Sequence, residues 1–113
     1  MPCLFCDIVA GKIPAKAVYQ DDSMMAFRDV KPQAPTHVLV IPKRHITSLL
    51  DLGEGDDALV GSLVRRARDI AREEGLGERG FRVLFNCGDD AGYSVYHIHL
   101  HLVGGRRLGW PPG

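Results

Sequence analysis

Three histidines stand at every second position in the stretch YHIHLHLVGG, residues 96–105. On a β-strand, His97, His99 and His101 would share one face, with neighbours about 6.6 Å apart. Adjacent rings at that spacing could share a metal ion, or converge on one phosphate-sized group. A row of surface histidines without a function is the third interpretation, and three in register make it the weakest of the three.

The loop sequence before the histidines favours an anion site. Gly88 and Gly92 permit a tight turn whose backbone N–H groups can face a negative charge. Ser94 lies three residues before His97, close enough in sequence to reach the same pocket. A hydroxyl that bonds only its own backbone is the alternative for Ser94.

The cysteines allow a metal site near the N-terminus. Cys3 and Cys6 form a C-x-x-C pair, and Cys87 makes the total odd, which argues against a disulfide framework in a chain without a secretion signal. A redox pair needs a preceding strand, but only two residues precede Cys3. Half of a zinc site, completed by histidines, and two buried thiols remain as the interpretations.

Five strands are predicted to position these residues. AVYQDD and MMAFRDV read as a hairpin, and the β-branched run HVLVIPK reads as a central strand that Pro42 ends. FRVLFN and HIHLHLV supply the last two strands. In the latter, Ile98, Leu100 and Leu102 would enter the core on the face opposite the histidines.

One main helix is predicted between the third and fourth strands. From Asp56 to Glu74 the apolar residues recur at the spacing of one helix face, with Asp56 or Asp57 as N-cap and Gly75 as stop. A short turn or helix is expected from Leu4 to Ala10. The order of elements predicts an α+β fold, an antiparallel sheet covered by one main helix.

Length and composition limit the class of protein. The 113 residues suit one domain, spanning 1–113, and the formal net charge of +0 offers no electrostatic footprint for nucleic acid. Neither a membrane span of ~20 apolar residues nor a basic segment followed by an apolar run occurs. A cytoplasmic protein that binds neither nucleic acid nor membrane is therefore expected.

Several motifs together resemble a known family. HIHLHLV matches the His-φ-His-φ-His-φ-φ signature, with φ apolar, of the histidine triad (HIT) superfamily. KIPAK, DVKPQAPTHVLVIPKRHI, GYSVYHIHLHL and GGRRLGWPPG resemble its Hint branch, the purine nucleoside phosphoramidate hydrolases, and the tail WPPG separates the chain from the Fhit branch. The resemblance implies a HIT-like fold with a five-stranded antiparallel sheet, forming a homodimer in which two sheets join into one.

The resemblance also implies roles for particular residues. It makes His99 the nucleophile, and the positions matching phosphate contacts are His37, Asn86, Gly92, Ser94 and His101. Asp29 matches the carboxylate that holds the ribose hydroxyls, although an ordinary turn acid is the alternative. The positions matching the apolar base pocket are Phe5, Ile8, Ile13, Phe27, Val30 and Leu39. Of these, Phe5, Phe27 and Leu39 would also be normal core residues in any fold.

The resemblance changes the expectation for metal. Some bacterial-type members hold zinc at positions that correspond here to Cys3, Cys6, His45 and His97. Such a Cys₂His₂ set would be a closed structural site without a position for water. Zinc would then stabilise the fold and take no part in catalysis.

The activity implied is hydrolysis of the P–N bond of an adenosine 5′-phosphoramidate. His99 would form a covalent nucleotidyl-histidine, Ser94 would relay a proton to the leaving amine, and His37 and His101 would hold phosphate oxygens; water would then release AMP. Three alternatives remain: a dinucleoside polyphosphate hydrolase of Fhit type, a zinc-dependent hydrolase whose histidine row binds the metal, and a non-enzymatic nucleotide-binding adaptor.

Overall fold

The computed structural model describes residues 2–113 and confirms the predicted α+β class. Its two helices and five strands follow in the order α1 (Leu4–Val9), β1 (Ala17–Gln20), β2 (Met24–Arg28), β3 (Thr36–Pro42), α2 (Asp57–Glu73), β4 (Phe81–Phe85) and β5 (Leu100–Gly104). Three short 3-10 turns lie in the connections, at Leu49–Asp51, Glu54–Asp56 and Asp89–Ala91. Among residues 2–113, neither helix is long and apolar enough to cross a membrane.

The five strands form one antiparallel sheet, as predicted, and their order in it is β1-β2-β3-β5-β4. The hairpin of β1 and β2 turns at Asp21, whose carboxylate accepts the N–H groups of Ser23 and Met24. Strand β3 lies at the centre, where Leu39 is paired with Phe27 on one side and with His101 on the other. Strand β5, which carries His101, lies between β3 and β4.

The centre of the sheet is covered on both faces, so β3 is buried along its whole length. Val38 and Val40 pack in the cluster that contains the apolar face of α2. The intervening Leu39 and Ile41 pack on the other face, in a cluster with Phe5 of α1. Side chains that alternate along a strand point to opposite faces, and each face of β3 thus has a helix against it.

The predicted helix forms one residue short at each end. Its C-terminus follows from Gly75, which has φ +78 and lets its own N–H bond the Arg72 carbonyl, while the N–H of Leu76 bonds the Ala71 carbonyl. Asp56 stands at the predicted N-cap position but makes no side-chain bond to the helix. Its carboxylate instead accepts the N–H of Gly53 and pairs with Arg44.

The prediction that the three histidines share a strand is wrong. Strand β5 begins only at Leu100, so His97 and His99 precede it. Pro42 has no N–H with which to continue the β3–β5 ladder, and its carbonyl accepts the His97 ring N–H. The backbone N–H of Ile98 bonds Ile46 instead, which ties this segment to the chain after β3.

Candidate functional site

His99 has one ring nitrogen fixed as a donor. Its Nδ1 lies 2.8 Å from the carbonyl oxygen of His97, and because a carbonyl only accepts, Nδ1 must carry the proton. The residue is buried, and burial is the main cause that lowers the pKa of His99 and favours the neutral ring. Nε2 then keeps its lone pair, which is the state that a nucleophile requires.

A chain of hydrogen bonds fixes the tautomers of His37 and His101. The N–H of Gln33 donates to His37 Nδ1 at 3.0 Å, so the proton of His37 is on Nε2. That nitrogen lies 2.9 Å from His101 Nδ1 and donates to it. His101 must therefore be protonated on Nε2, and it offers a ligand a donor where His99 offers a lone pair.

The same arrangement keeps His101 neutral. Burial above all, followed by the neighbouring His99 and His37, lowers the pKa of His101 to about 4, and the nearby Asp29 only partly offsets this. Asp29 Oδ1 accepts the N–H of Lys31 at 2.8 Å, so Asp29 is a turn acid. Its second oxygen, 3.4 Å from His37 Nε2, is placed towards the histidines, so the two interpretations of Asp29 are compatible.

A cavity of about 500 Å³ brings most of the predicted ligand contacts together. The size suits a small-molecule ligand. His37 lies behind His101 and lines an adjoining cavity of about 570 Å³ that also contains Asp29. The predicted residues that line the first cavity are Phe5, Ile8, Ile13, Phe27, Asp29, Val30, Leu39, Asn86, Gly92, Ser94, His99 and His101.

Tyr93 is the main residue of the site that sequence reasoning missed. It is buried, its ring stacks on His99 with centroids 5.6 Å apart, and its hydroxyl donates to the Thr47 carbonyl at 2.5 Å. Burial raises its pKa to about 12, so the phenol stays protonated. Its position next to Gly92, which has φ +76, was the available signal. Further cavity residues not predicted are Leu4, Pro14, Ala15, Arg28, Lys31 and Val95.

The four predicted metal ligands come together beside α1. One donor atom from each of Cys3, Cys6, His45 and His97 lies within 4.8 Å of the others. The S···N distances are 3.4 Å for Cys3–His97, 3.4 Å for Cys6–His45 and 3.6 Å for Cys6–His97. Zinc bonds of about 2.3 Å to sulfur and about 2.0 Å to nitrogen make a tetrahedral S···N edge of about 3.6 Å. The four residues thus fit a closed zinc tetrahedron.

The second ring nitrogen of His97 supports the same conclusion. Its Nε2–H donates to the Pro42 carbonyl at 2.8 Å, which leaves Nδ1 bare towards the two sulfurs. A metal-bound histidine commonly donates its other N–H to a carbonyl or carboxylate in this way. Burial lowers the pKa of His97 and so favours the unprotonated ring that a metal needs.

A second group of possible ligands, Asp29, His37 and His101, does not meet this requirement. A metal on His37 Nε2 would require a proton on Nδ1, where the N–H of Gln33 already donates. Two N–H groups would then face each other. Proton placement thus distinguishes the cluster at His97, which could hold a metal ion, from the hydrogen-bonded chain at His101.

We expect His101 to make the fold sensitive to acid. Its pKa in the folded chain, about 4, is below the ordinary 6.5, so between these values the unfolded chain binds a proton that the folded chain does not. The free energy of unfolding should fall as the pH is lowered through this window. Urea unfolding of metal-free protein at pH 7 and 4.5 measures the loss, which His101→Gln should reduce. An equal loss in both proteins would contradict the assignment.

Comparisons with known proteins agree with this geometry. The family model "Scavenger mRNA decapping enzyme C-term binding" matches residues 2–108. A crystal structure of a HIT family hydrolase from Legionella pneumophila has a TM-score of 0.97 at 51% identity, covering 99% of this chain and 100% of that one. A histidine triad nucleotide-binding protein from Candida albicans gives 0.83 at 30%, covering 97% and 83%. A 14 kDa zinc-binding protein from Zea mays is 46% identical over 114 residues, 99% of this chain and 88% of its own.

Proposed function

Because this chain belongs to the histidine triad family, we propose that it is a nucleotide-binding hydrolase of the Hint branch that cleaves the P–N bond of adenosine 5′-phosphoramidates. The observation that carries the proposal is the state of His99, which is buried in the cavity wall with Nδ1–H bonded to the His97 carbonyl. The bare Nε2 is the one ring atom of His99 left for attack. The relatives named as a hydrolase and as a nucleotide-binding protein support the same class.

The reaction proceeds in two displacements at phosphorus. In the first, the lone pair of His99 Nε2 forms a bond to the α-phosphorus as the bond to the amine nitrogen breaks, and Ser94 at the cavity wall passes its proton to that nitrogen. In the second, water attacks phosphorus, the bond to His99 breaks, AMP leaves and Ser94 regains a proton. The sum is phosphoramidate plus water to amine plus AMP.

His101 stabilises charge on the phosphoryl group. Its Nε2–H is a preorganised donor, since His37, itself held by the Gln33 N–H, donates to His101 Nδ1 and so fixes the tautomer. The pKa of about 4 means that this donor is neutral at physiological pH. Neutral His101 therefore donates one hydrogen bond to a phosphate oxygen and carries no second proton that His99 Nε2 could take up.

The remaining cavity residues bind the nucleoside. Asp29 has one carboxylate oxygen outside its turn bond and accepts hydrogen bonds from the ribose hydroxyls. The purine packs among apolar side chains, and Asn86 and the N–H groups near Gly92 assist at the phosphate. The apolar set is Phe5, Ile8, Ile13, Phe27, Val30 and Leu39.

A direct comparison of substrates tests the proposal against its alternatives. The protein is incubated with adenosine phosphoramidate and with a diadenosine polyphosphate, kcat/KM is compared, and a covalent adenylyl adduct is sought by mass spectrometry. Preference for the phosphoramidate with an adduct is expected, and activity should survive chelation. Preference for the polyphosphate would indicate the Fhit type, loss of activity on chelation without an adduct a zinc hydrolase, and binding without turnover an adaptor.

Zinc is proposed as a structural ion held by Cys3, Cys6, His45 and His97. The tetrahedral fit of these atoms and the maize relative's name support it. With four protein ligands the ion has no open position, so it crosslinks α1 to the segments that carry the two histidines. The steps at phosphorus use no metal.

We also propose that residues 1–113 act as one HIT domain and pair into a homodimer through β4. This strand lies at the edge of the sheet, and Phe81 and Val83 on it are exposed apolar side chains. Sedimentation velocity should give about twice the 12.4 kDa of the chain. Val83→Lys should shift it to the monomer, and an unchanged dimer would argue against this edge.

A further inference from the structure

We infer that the metal cluster and the nucleotide cavity are coupled through α1 and His97, so that zinc and a nucleoside monophosphate each strengthen binding of the other. This inference rests on the proposed function, because it takes AMP as the ligand of the cavity. It adds to that function a dependence of the nucleotide site on metal. Two independent connections between the sites carry it.

The first connection is the ring of Phe5. Phe5 lies in α1 between the ligand Cys3 and the ligand Cys6, so fixing the two sulfurs fixes the segment that bears it. Its ring meets the His99 ring edge-on with centroids 5.0 Å apart, and it meets Phe27 at 5.4 Å and the ligand His97 at 5.9 Å. One side chain thus contacts the nucleophile, the apolar wall and the metal cluster.

The second connection is His97 itself. Its ring presents Nδ1 to the sulfurs, whereas its backbone carbonyl accepts the Nδ1–H of His99. Fixing the His97 ring therefore also limits the position of the carbonyl that sets the tautomer and direction of His99. His97 and Phe5 are in this sense positioning residues, since they act on the reaction through His99.

The short length of α1 explains why occupancy matters. The helix has six residues, and its N-cap is a thiol, Cys3, which accepts the N–H of Cys6 at 3.3 Å. Isolated helices of this length are unstable, so the segment depends on contacts outside itself for its order. When a metal has already ordered α1, this segment loses less conformational entropy as a nucleotide binds against Phe5. By linkage, the nucleotide must raise metal affinity by the same factor.

The test measures zinc affinity, with and without AMP. A chromophoric chelator competes with the protein for zinc, and the zinc Kd is determined in the absence of nucleotide and at saturating AMP. AMP should tighten zinc binding about 10-fold, within the usual range for coupled sites. Calorimetry of AMP binding to zinc-free and zinc-loaded protein should return the same factor.

A pair of variants in α1 locates the coupling. Phe5→Ala keeps all four metal ligands and should still bind zinc, but the factor by which AMP changes the zinc Kd should fall towards 1. Val9→Ala truncates an apolar residue of the same helix and should retain the factor. Phe5→Leu, which fills more of the space, replaces the alanine variant if that one fails to fold.

The outcomes separate the inference from the proposed function. If AMP binds but leaves the zinc Kd unchanged in the wild-type protein, the coupling is overturned and the nucleotide site stands. If Val9→Ala loses the factor as fully as Phe5→Ala, the route through Phe5 is overturned. If AMP binds neither form, the proposed function itself fails.

Discussion

Replacing His99 with asparagine is expected to abolish hydrolysis of adenosine phosphoramidate, with kcat falling by about 10³-fold or more, as for loss of other enzymic nucleophiles. Asparagine can still donate a hydrogen bond to the His97 carbonyl that now holds His99 Nδ1. It has no basic nitrogen to attack phosphorus. Steady-state turnover and the adenylyl adduct, sought by mass spectrometry, measure the effect.

Two controls separate loss of the nucleophile from loss of the site. AMP affinity of His99→Asn should stay within a few-fold of wild type, because the rest of the cavity is unchanged. His101→Asn removes a donor but keeps the nucleophile, so it should react slowly and still form the adduct. Full turnover or a persistent adduct in His99→Asn would overturn the assignment.

Removal of zinc is expected to have the largest effect on stability. A ligand at 100 times its Kd stabilises the folded state by about 2.7 kcal/mol, which corresponds to a Tm increase on the order of 10 °C for a chain of this size. Differential scanning calorimetry with added zinc and after chelation measures the difference. Cys3→Ser combined with Cys6→Ser should unfold at the lower temperature under both conditions.

Cys87 provides the matched control. It is partly buried like the other two cysteines but does not belong to the metal cluster. Cys87→Ser should bind one zinc and keep the full Tm difference. If the variant without Cys3 and Cys6 still binds one zinc per chain with unchanged affinity, the proposed ligand set is wrong.

The fold was predictable because its signals are local. The apolar run in β3, the helical period that buries Leu63 and Ala67, and the turn residues around Asp21 each specify their own element. The polar Asp56 also marked the correct helix start. Its carboxylate is used in a preceding turn, a choice between two nearby N–H partners that residue type alone does not decide.

The histidine stretch shows where local signals end. Alternation predicted one strand that contains all three histidines. The neighbouring strand β3 ends at Pro42, which has no N–H for a further ladder bond, so the β3–β5 pairing stops before His99. The place of Pro42 opposite these residues depends on register, which is a long-range property. Tyr93 was missed for a similar reason, since its place beside Gly92 marks a turn but does not specify that its ring will stack on His99.

The tautomers are a third property that the sequence could not specify. They depend on backbone groups distant in the chain, such as the Gln33 N–H at His37. The resemblance supplied which residues meet. The proton placement that distinguishes the metal cluster from the hydrogen-bonded chain is set only in the folded structure.

The two-sided burial of the sheet has a consequence for how such a chain can diverge. In β2, β3 and β5, buried even-numbered residues such as Val38 and Leu100 pack in the cluster with α2, whereas some odd-numbered residues, among them Phe27 and Leu39, line the cavity on the other face. Neighbouring residues in these strands therefore have different roles, and their substitutions are under different selection. Substitutions at the cavity positions can change ligand preference while the residues that pack against α2 keep the fold unchanged.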